Sequence, residues 1–247
     1  MEHICDSIFT AVRNDHEDCL KTFIEAGENI DIVDEKGWAP LHYAALNGHD
    51  ACVKMLIEAG ADINISNTCD WTALHFAALN GHDACVKMLI ETGAPFDSTN
   101  TLGLTPLHFA AQNVHDACVK MLIEAGATLD IADNRGCTPL HYAVKNGRDA
   151  CLKTLVEAGA ALDSTNDLGW TVLHFAAMSG HDVCLKTLVE AGAKIDSKNV
   201  DGNTPLHYAV KNGHDACVNM LVNKIISERP LRPSESHVIS QNFHRNR

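Results

Sequence analysis

TPLHFA at residues 105–110 and GHDACVKMLIEAGADIN at residues 48–64 are single copies of two phrases that repeat along this chain. The histidine of the first phrase recurs every 33 residues, at His42, His75, His108, His141, His174 and His207. The cysteine of the second phrase recurs at the same interval, at Cys19, Cys52, Cys85, Cys118, Cys151, Cys184 and Cys217. A fixed period of this length indicates an array of stacked units, each of which contacts only its neighbours.

Each unit is predicted to hold two helices and a turn. Thr105 is a good N-cap because its side-chain oxygen can accept from the first free amides of a helix, and Pro106 suits the first helical position. The first helix is predicted to end near Asn113. The second helix has apolar residues at three- and four-residue spacings, which give it one apolar face. Gly60 ends such a helix, and the stretch after it has turn composition.

The period and the T-P-L-H-x-A phrase resemble the ankyrin repeat family. The resemblance covers residues 1–228 and implies an all-α solenoid of stacked helix pairs with short β-hairpin loops. It gives about seven repeats, of which the first, without the T-P-L-H phrase, and the last, without the Gly-Ala turn, act as caps. It also implies a protein-interaction module, acting as an adaptor, a scaffold or a stoichiometric inhibitor, and not an enzyme.

Three positions depart from the repeat pattern. Asp70 replaces the hairpin glycine, and Val114 replaces the glycine between the two helices. Both are expected to adopt a positive φ, which Asp tolerates better than a β-branched residue does. Ala39 lacks the hydroxyl of an N-cap, a loss of about 1 kcal/mol. We therefore expect repeats three and four to form the weakest joint of the stack.

The charge of the chain limits its partners. The formal net charge is −13, but residues 229–247 hold four Arg and one Glu, so residues 1–228 carry −16. Such an acidic body repels nucleic acid and favours a protein partner with a basic or apolar-anchored segment. Residues 229–247 match no repeat and are predicted to be a disordered basic tail.

The repeated histidines and cysteines are predicted to be structural. One of each per repeat places neighbours roughly 8–10 Å apart, too far to share a metal or to form a disulfide. We therefore expect no metal, no other cofactor and a reducing intracellular compartment, cytoplasmic or nuclear. No apolar run approaches the roughly 18 residues of a membrane span, and residues 1–11 lack a secretory pattern. A monomer that binds no membrane is expected.

Function is expected at the positions that differ between repeats. The position after the hairpin glycine holds all three Trp of the chain, at Trp38, Trp71 and Trp170. The resemblance implies that hairpin and first-helix positions line a concave, partner-binding face, on which exposed Trp would be anchors. The predicted partner-binding residues are Trp38, Leu46, Trp71, Leu79, Leu104, Gln112, Arg135, Lys145, Trp170 and Met178.

Alternative interpretations stay open. A Trp at the base of a hairpin can pack on its neighbours as local core, since Trp is often largely buried. The chain can also be the substrate or a recruiting subunit of a modifying enzyme. LIEAGADIN at residues 56–64 resembles the context of asparaginyl hydroxylation in ankyrin hairpins, with Asn64 as the modified residue. A passive solubilising spacer is a third possibility.

Overall fold

The computed structural model describes residues 5–228 as one row of stacked helix pairs, which confirms the predicted all-α solenoid. The helices of this part of the chain are α1 (Ile8–Arg13), α2 (Glu17–Glu25), α3 (Pro40–Asn47), α4 (Asp50–Glu58), α5 (Ala73–Asn80), α6 (Asp83–Glu91), α7 (Pro106–Gln112), α8 (Asp116–Glu124), α9 (Pro139–Lys145), α10 (Asp149–Glu157), α11 (Val172–Ser179), α12 (Asp182–Glu190), α13 (Pro205–Lys211) and α14 (Asp215–Glu228). The predicted tail, residues 229–247, lies outside the described residues.

In repeats three to seven the first helix begins at a threonine–histidine cap. In repeat three, Nδ1 of His75 accepts from the Thr72 backbone N–H at 3.1 Å and lies 2.9 Å from the Thr72 hydroxyl. This assigns the ring proton to Nε2, which donates to the carbonyl of Leu104 in the next repeat at 3.1 Å. The same contacts are made by His108, His141 and His174. Each cap therefore also joins two repeats.

Repeat two keeps this arrangement without the hydroxyl. The Ala39 backbone N–H donates to Nδ1 of His42 at 2.9 Å, and Nε2 of the same ring bonds the Ile65 carbonyl at 2.9 Å. The predicted loss of the N-cap oxygen is therefore confined to one hydrogen bond.

The two helix rows of the stack pack differently. The first helices lie closer to one another than the second helices do. Small, fully buried side chains such as Ala77 and Ala110 allow this close approach, while Leu89 and Leu122 fill the core on the side of the second helices. A stack that packs more closely on one side curves toward that side, so we infer that the face formed by the first helices and the loops before them is the concave one.

The loops keep tight hairpin turns, but the expected β-strands are absent from the described residues. Their only bridge joins Ser66 and Thr72. Within that loop the Asn67 side chain accepts from the backbone N–H groups of Cys69 and Trp71 at 2.9 and 3.0 Å. These side-chain bonds close the turn within a few residues, so no extended pair is needed.

Adjacent hairpins are linked to one another along the stack. A backbone N–H near the tip of each hairpin donates to a tip carbonyl of the preceding hairpin at 3.0–3.1 Å. The donor–acceptor pairs are Thr68 to Lys36, Thr101 to Cys69, Asn134 to Leu102, Asp167 to Arg135 and Val200 to Leu168. We call these ten residues the tip row.

The end of the last repeat presents both polar and apolar side chains. Asn219 and Asn223 are exposed there. However, Val210 is 60% exposed, whereas the corresponding Val144 of repeat five is fully buried by the repeat that follows it. Ile226 is also 62% exposed. The helices described here include none long and apolar enough to cross a membrane.

The two predicted positive-φ residues are confirmed. Asp70 has φ of 60° and Val114 has φ of 68°, close to the values of the glycines in the same positions of other repeats. At Gly81, an added Cβ would overlap the ring of His115 in the next repeat. Val114 escapes this overlap because the next repeat has Arg148 in place of that histidine. Arg148 Nε keeps the inter-repeat bond by donating to the Gln112 carbonyl at 3.2 Å.

This pairing can be tested by transferring it to another joint. Gly81→Val should lower the free energy of unfolding by about 2 kcal/mol or more, because it adds a left-handed β-branched residue and the overlap with His115. The double variant Gly81→Val/His115→Arg should recover part of this loss, whereas His115→Arg alone should not stabilise the protein. Urea unfolding of the three variants gives the comparison. Equal loss in the single and double valine variants would contradict the proposed compensation.

Candidate partner-binding face

A column of thiol–carboxylate hydrogen bonds joins the second helices α4 to α12 each to the repeat before it. Five cysteines each donate to an aspartate of the preceding repeat at 2.8–3.4 Å, in the pairs Cys52–Asp15, Cys85–Asp50, Cys118–Asp83, Cys151–Asp116 and Cys184–Asp149. Burial, reinforced by the nearby carboxylate, raises the pKa of each thiol, to about 12 at Cys52 and Cys151. These cysteines are therefore protonated framework groups and not nucleophiles.

The repeated histidines are also committed to the framework. Burial lowers the pKa of His75 and His108 to about 4, and it also lowers the pKa of His42, His141 and His174. These contacts require a neutral imidazole, because Nδ1 accepts from the backbone N–H of the cap residue and Nε2 donates to a carbonyl of the next repeat. This confirms the structural interpretation of these five histidines.

The first repeat is an exception. Cys5, His16 and Cys19 are half-buried, and their ligand atoms lie within 4.8 Å of one another. Sγ of Cys5 is 3.1 Å from Nδ1 of His16. The sequence interpretation compared adjacent repeats and did not consider a group within one repeat. The available signal was Cys5, a cysteine outside the series that begins at Cys19.

The ten predicted binding residues lie on the first helices and the loops before them, with different exposure. Arg135 and Lys145 are exposed. Seven are half-buried, namely Trp38, Leu46, Trp71, Leu79, Gln112, Trp170 and Met178. Leu104 is only 7% exposed and is not an exposed anchor. Its side chain is shorter than that of Trp, and its carbonyl accepts a hydrogen bond from Nε2 of His75.

The two N-terminal Trp belong to a continuous row of aromatic rings. Trp38 lies between Tyr43 and Phe76, with ring centroids 5.0 and 4.3 Å away. Trp71 lies between Phe76 and Phe109, at 5.0 and 4.5 Å. Each Trp thus packs between the first-helix ring of its own repeat and that of the next. Trp38 and Trp71 were expected to be exposed. Instead, both faces of each indole pack against another ring, and only part of each side chain is open to solvent.

The row stops and resumes further along the stack. Leu104 and Cys137 occupy the Trp column in repeats four and five. In repeat six, Trp170 lies 5.3 Å from Phe175 and 4.4 Å from Tyr208 of the next repeat. Trp in this column therefore packs between repeats and is partly exposed, but the fold does not require Trp at this position.

Exposed apolar side chains in the tip row were missed by the sequence interpretation. Leu102, Leu168 and Val200 are 59%, 58% and 67% exposed. The tip positions of the other hairpins are polar or cysteine, for example Glu35 and Thr68. Apolar residues at turn positions, where polar residues are usual, were the available signal. Leu168 and Val200 are neighbours, joined by their backbone bond.

Asn64, the predicted modification residue, is exposed in the turn between α4 and the hairpin of repeat three. Its backbone N–H donates to the Asp62 carboxylate at 2.9 Å. Its side chain is therefore accessible, while its backbone is held in a compact turn.

The acid stability of the protein should report the buried rings. The pKa values of His75 and His108 lie below the unfolded value of about 6.5. The unfolded chain therefore binds protons that the folded chain does not, and stability should fall as the pH drops below about 6.5 towards 4. Urea unfolding between about pH 7 and pH 5 avoids most carboxylate titration. His75→Gln should flatten this slope, and a pH-independent midpoint in the parent protein would argue against the buried neutral rings.

Trp71 should contribute to stability because both of its ring faces are packed. Trp71→Ala is expected to lower the free energy of unfolding by about 2 kcal/mol, less than a fully buried Trp would. Trp71→Phe keeps an aromatic ring and should lose less than half as much. Hydrogen exchange should locate the loss in repeats three and four. An unchanged unfolding midpoint for Trp71→Ala would show that the ring does not join these repeats.

The sequence and fold match known proteins. A family model described as ankyrin repeats (three copies) matches residues 8–100, 74–166 and 152–229. The ankyrin repeat domain of Bcl-3, described as a unique member of the IkappaB protein family, is 28% identical with a TM-score of 0.76, over 89% of this chain and 99% of that one. The human ASB11 ankyrin repeat domain is 30% identical with a TM-score of 0.79, over 92% and 100%. No curated protein matches this sequence significantly.

Proposed function

The chain belongs to the ankyrin repeat family, and from this premise we propose that it binds a partner protein along its concave face. Ankyrin repeat domains are in general protein-interaction modules. The proposed role is that of an adaptor, a scaffold or a stoichiometric inhibitor, acting as a monomer in a reducing compartment and without catalysis. Neither nucleic acid nor a membrane is a proposed partner.

The separation between framework residues and variable residues supports this proposal. The repeated Thr, His, Cys and Asp side chains are engaged with one another or with the next repeat, so they have little capacity left for a ligand. The residues that vary between repeats lie in the tip row and at the ends of the first helices. Variation at these positions does not disturb the framework, which leaves them available for specificity.

The observation that carries the proposal is the cluster of exposed apolar residues beside half-buried ones on this face. Leu168 and Val200 are exposed on adjacent hairpins, and the half-buried Trp170 and Met178 belong to the same repeat as Leu168. Exposed apolar side chains in a contiguous group mark interaction surfaces. A segment with apolar anchors fits this surface, and the net charge of −16 on residues 1–228 favours basic residues around those anchors.

The proposal can be tested with the double variant Leu168→Asp/Val200→Asp. Both side chains are exposed, so stability should be almost unchanged, while two carboxylates would disfavour an apolar anchor. Capture from the native cell, followed by crosslinking mass spectrometry, should show at least a tenfold loss of the partner peptides crosslinked to the tip row.

Val183→Asp is the matched control, because Val183 is 52% exposed but lies on the second helix α12. This variant should retain the partner. Equal loss with the control, or no loss with the tip-row variant, would exclude this surface.

The accessibility of Asn64 supports a second candidate, in which the chain is a substrate or recruiting subunit of a modifying enzyme. Peptide mass spectrometry of the native protein tests this directly. An added oxygen atom on Asn64 is the expected product, and an unmodified peptide would count against it.

A further inference from the structure

The histidine and cysteine that open each second helix normally bind the preceding repeat. In repeat three, Nε2 of His82 lies 3.0 Å from the Leu46 carbonyl, and Cys85 donates to Asp50 at 2.9 Å. The same histidine column bonds preceding carbonyls from His49, His115, His181 and His214. These two columns are therefore part of the joint between repeats.

His16 and Cys19 occupy the same two columns in the first repeat, one period before His49 and Cys52. Within the described residues no repeat precedes them. Instead, the segment before α1 brings Cys5 to them. The result is a group of two thiols and an imidazole, in which Cys5 occupies the column that holds Trp38 and Trp71 in the next two repeats.

We propose that Cys5, His16 and Cys19 form a zinc site. Two cysteines and one histidine are a donor set that suits Zn²⁺, with bonds of about 2.3 Å to sulfur and about 2.0–2.1 Å to nitrogen. Tetrahedral coordination at those lengths places the ligand atoms about 3.5–3.8 Å apart. The three atoms already lie within 4.8 Å of one another, so small side-chain rotations suffice.

The charges of such a site balance. On binding, Cys5 and Cys19 each release a proton to solvent, and the two thiolates neutralise the charge of Zn²⁺. His16 binds as a neutral ring, and a water fills the fourth position. Without a cation, burial and then the neighbouring Cys19 and Asp6 raise the pKa of Cys5 to about 11. A metal ion would therefore stabilise the Cys5 thiolate, which this acidic environment otherwise disfavours.

The site would fasten the segment before α1 to α2. Closing the chain between Cys5 and Cys19 restricts the unfolded state and holds the first repeat, which contacts only one neighbour among the described residues. This role is independent of the binding face, which lies on the hairpins and first helices of later repeats.

Cobalt binding to the full chain provides the test. After reduction and removal of metal, titration with Co²⁺ alone should give the absorption of tetrahedral cobalt–thiolate coordination at one equivalent, and Zn²⁺ should displace it. Zn²⁺ should also raise the unfolding temperature. Cys5→Ser should weaken Zn²⁺ binding at least tenfold and remove the sulfur-to-cobalt absorption band contributed by that ligand. Cys69→Ser, which changes an exposed cysteine of repeat three, should behave as the parent protein does.

Several outcomes would overturn the proposal. One is the absence of the cobalt spectrum in the parent protein, and another is an unchanged spectrum in Cys5→Ser. A disulfide between Cys5 and Cys19 in protein purified without oxidant, detected by peptide mapping before reduction, would assign the pair to redox chemistry instead. His16→Gln keeps both thiols, so weaker zinc binding in this folded variant supports the site even if Cys5→Ser misfolds, and unchanged binding excludes the histidine.

Discussion

The hydrogen bond from each buried histidine to the next repeat is the interaction on which this solenoid depends. His75 caps its own helix through Nδ1 and binds the Leu104 carbonyl of the next repeat through Nε2. One ring therefore satisfies groups in two repeats, and it can do so only while it is neutral and buried. Neither repeat completes its polar contacts alone, which couples their stabilities. The thiol–carboxylate column, for example Cys85 with Asp50, adds a second link on the other helix row.

The sequence was sufficient to predict this framework because the framework residues recur at equivalent positions in successive repeats. The period, both helices, and the positive φ of Asp70 and Val114 all followed from comparing the repeats with one another. The compensation at Val114 did not follow, because it depends on space shared with Arg148 in the next repeat. A pattern read one repeat at a time shows which residue is unusual, but not which distant neighbour makes room for it.

The candidate site was predicted less well, for a related reason. Whether a side chain in the Trp column is open depends on the rings that flank it. Trp71 has Phe76 and Phe109 on its two faces, so most of its area is used within the protein. Leu104 in the same column is buried, while Leu168 at a hairpin tip is 58% exposed. Trp was predicted to be the anchor because of its residue type. The exposure of a side chain depends more on its position in the hairpin than on its residue type.

The two ends of the stack show what happens when a framework residue has no repeat beyond it. His207 keeps its cap with Thr204, yet its ring is exposed because no hairpin follows in the described residues. Val210 is exposed there for the same reason. At the other end, His16 and Cys19 have no preceding repeat in the described chain, and Cys5 lies against them. The residues that elsewhere join repeats therefore have different surroundings at the ends, since a repeated sequence supplies them whether or not a neighbour is present.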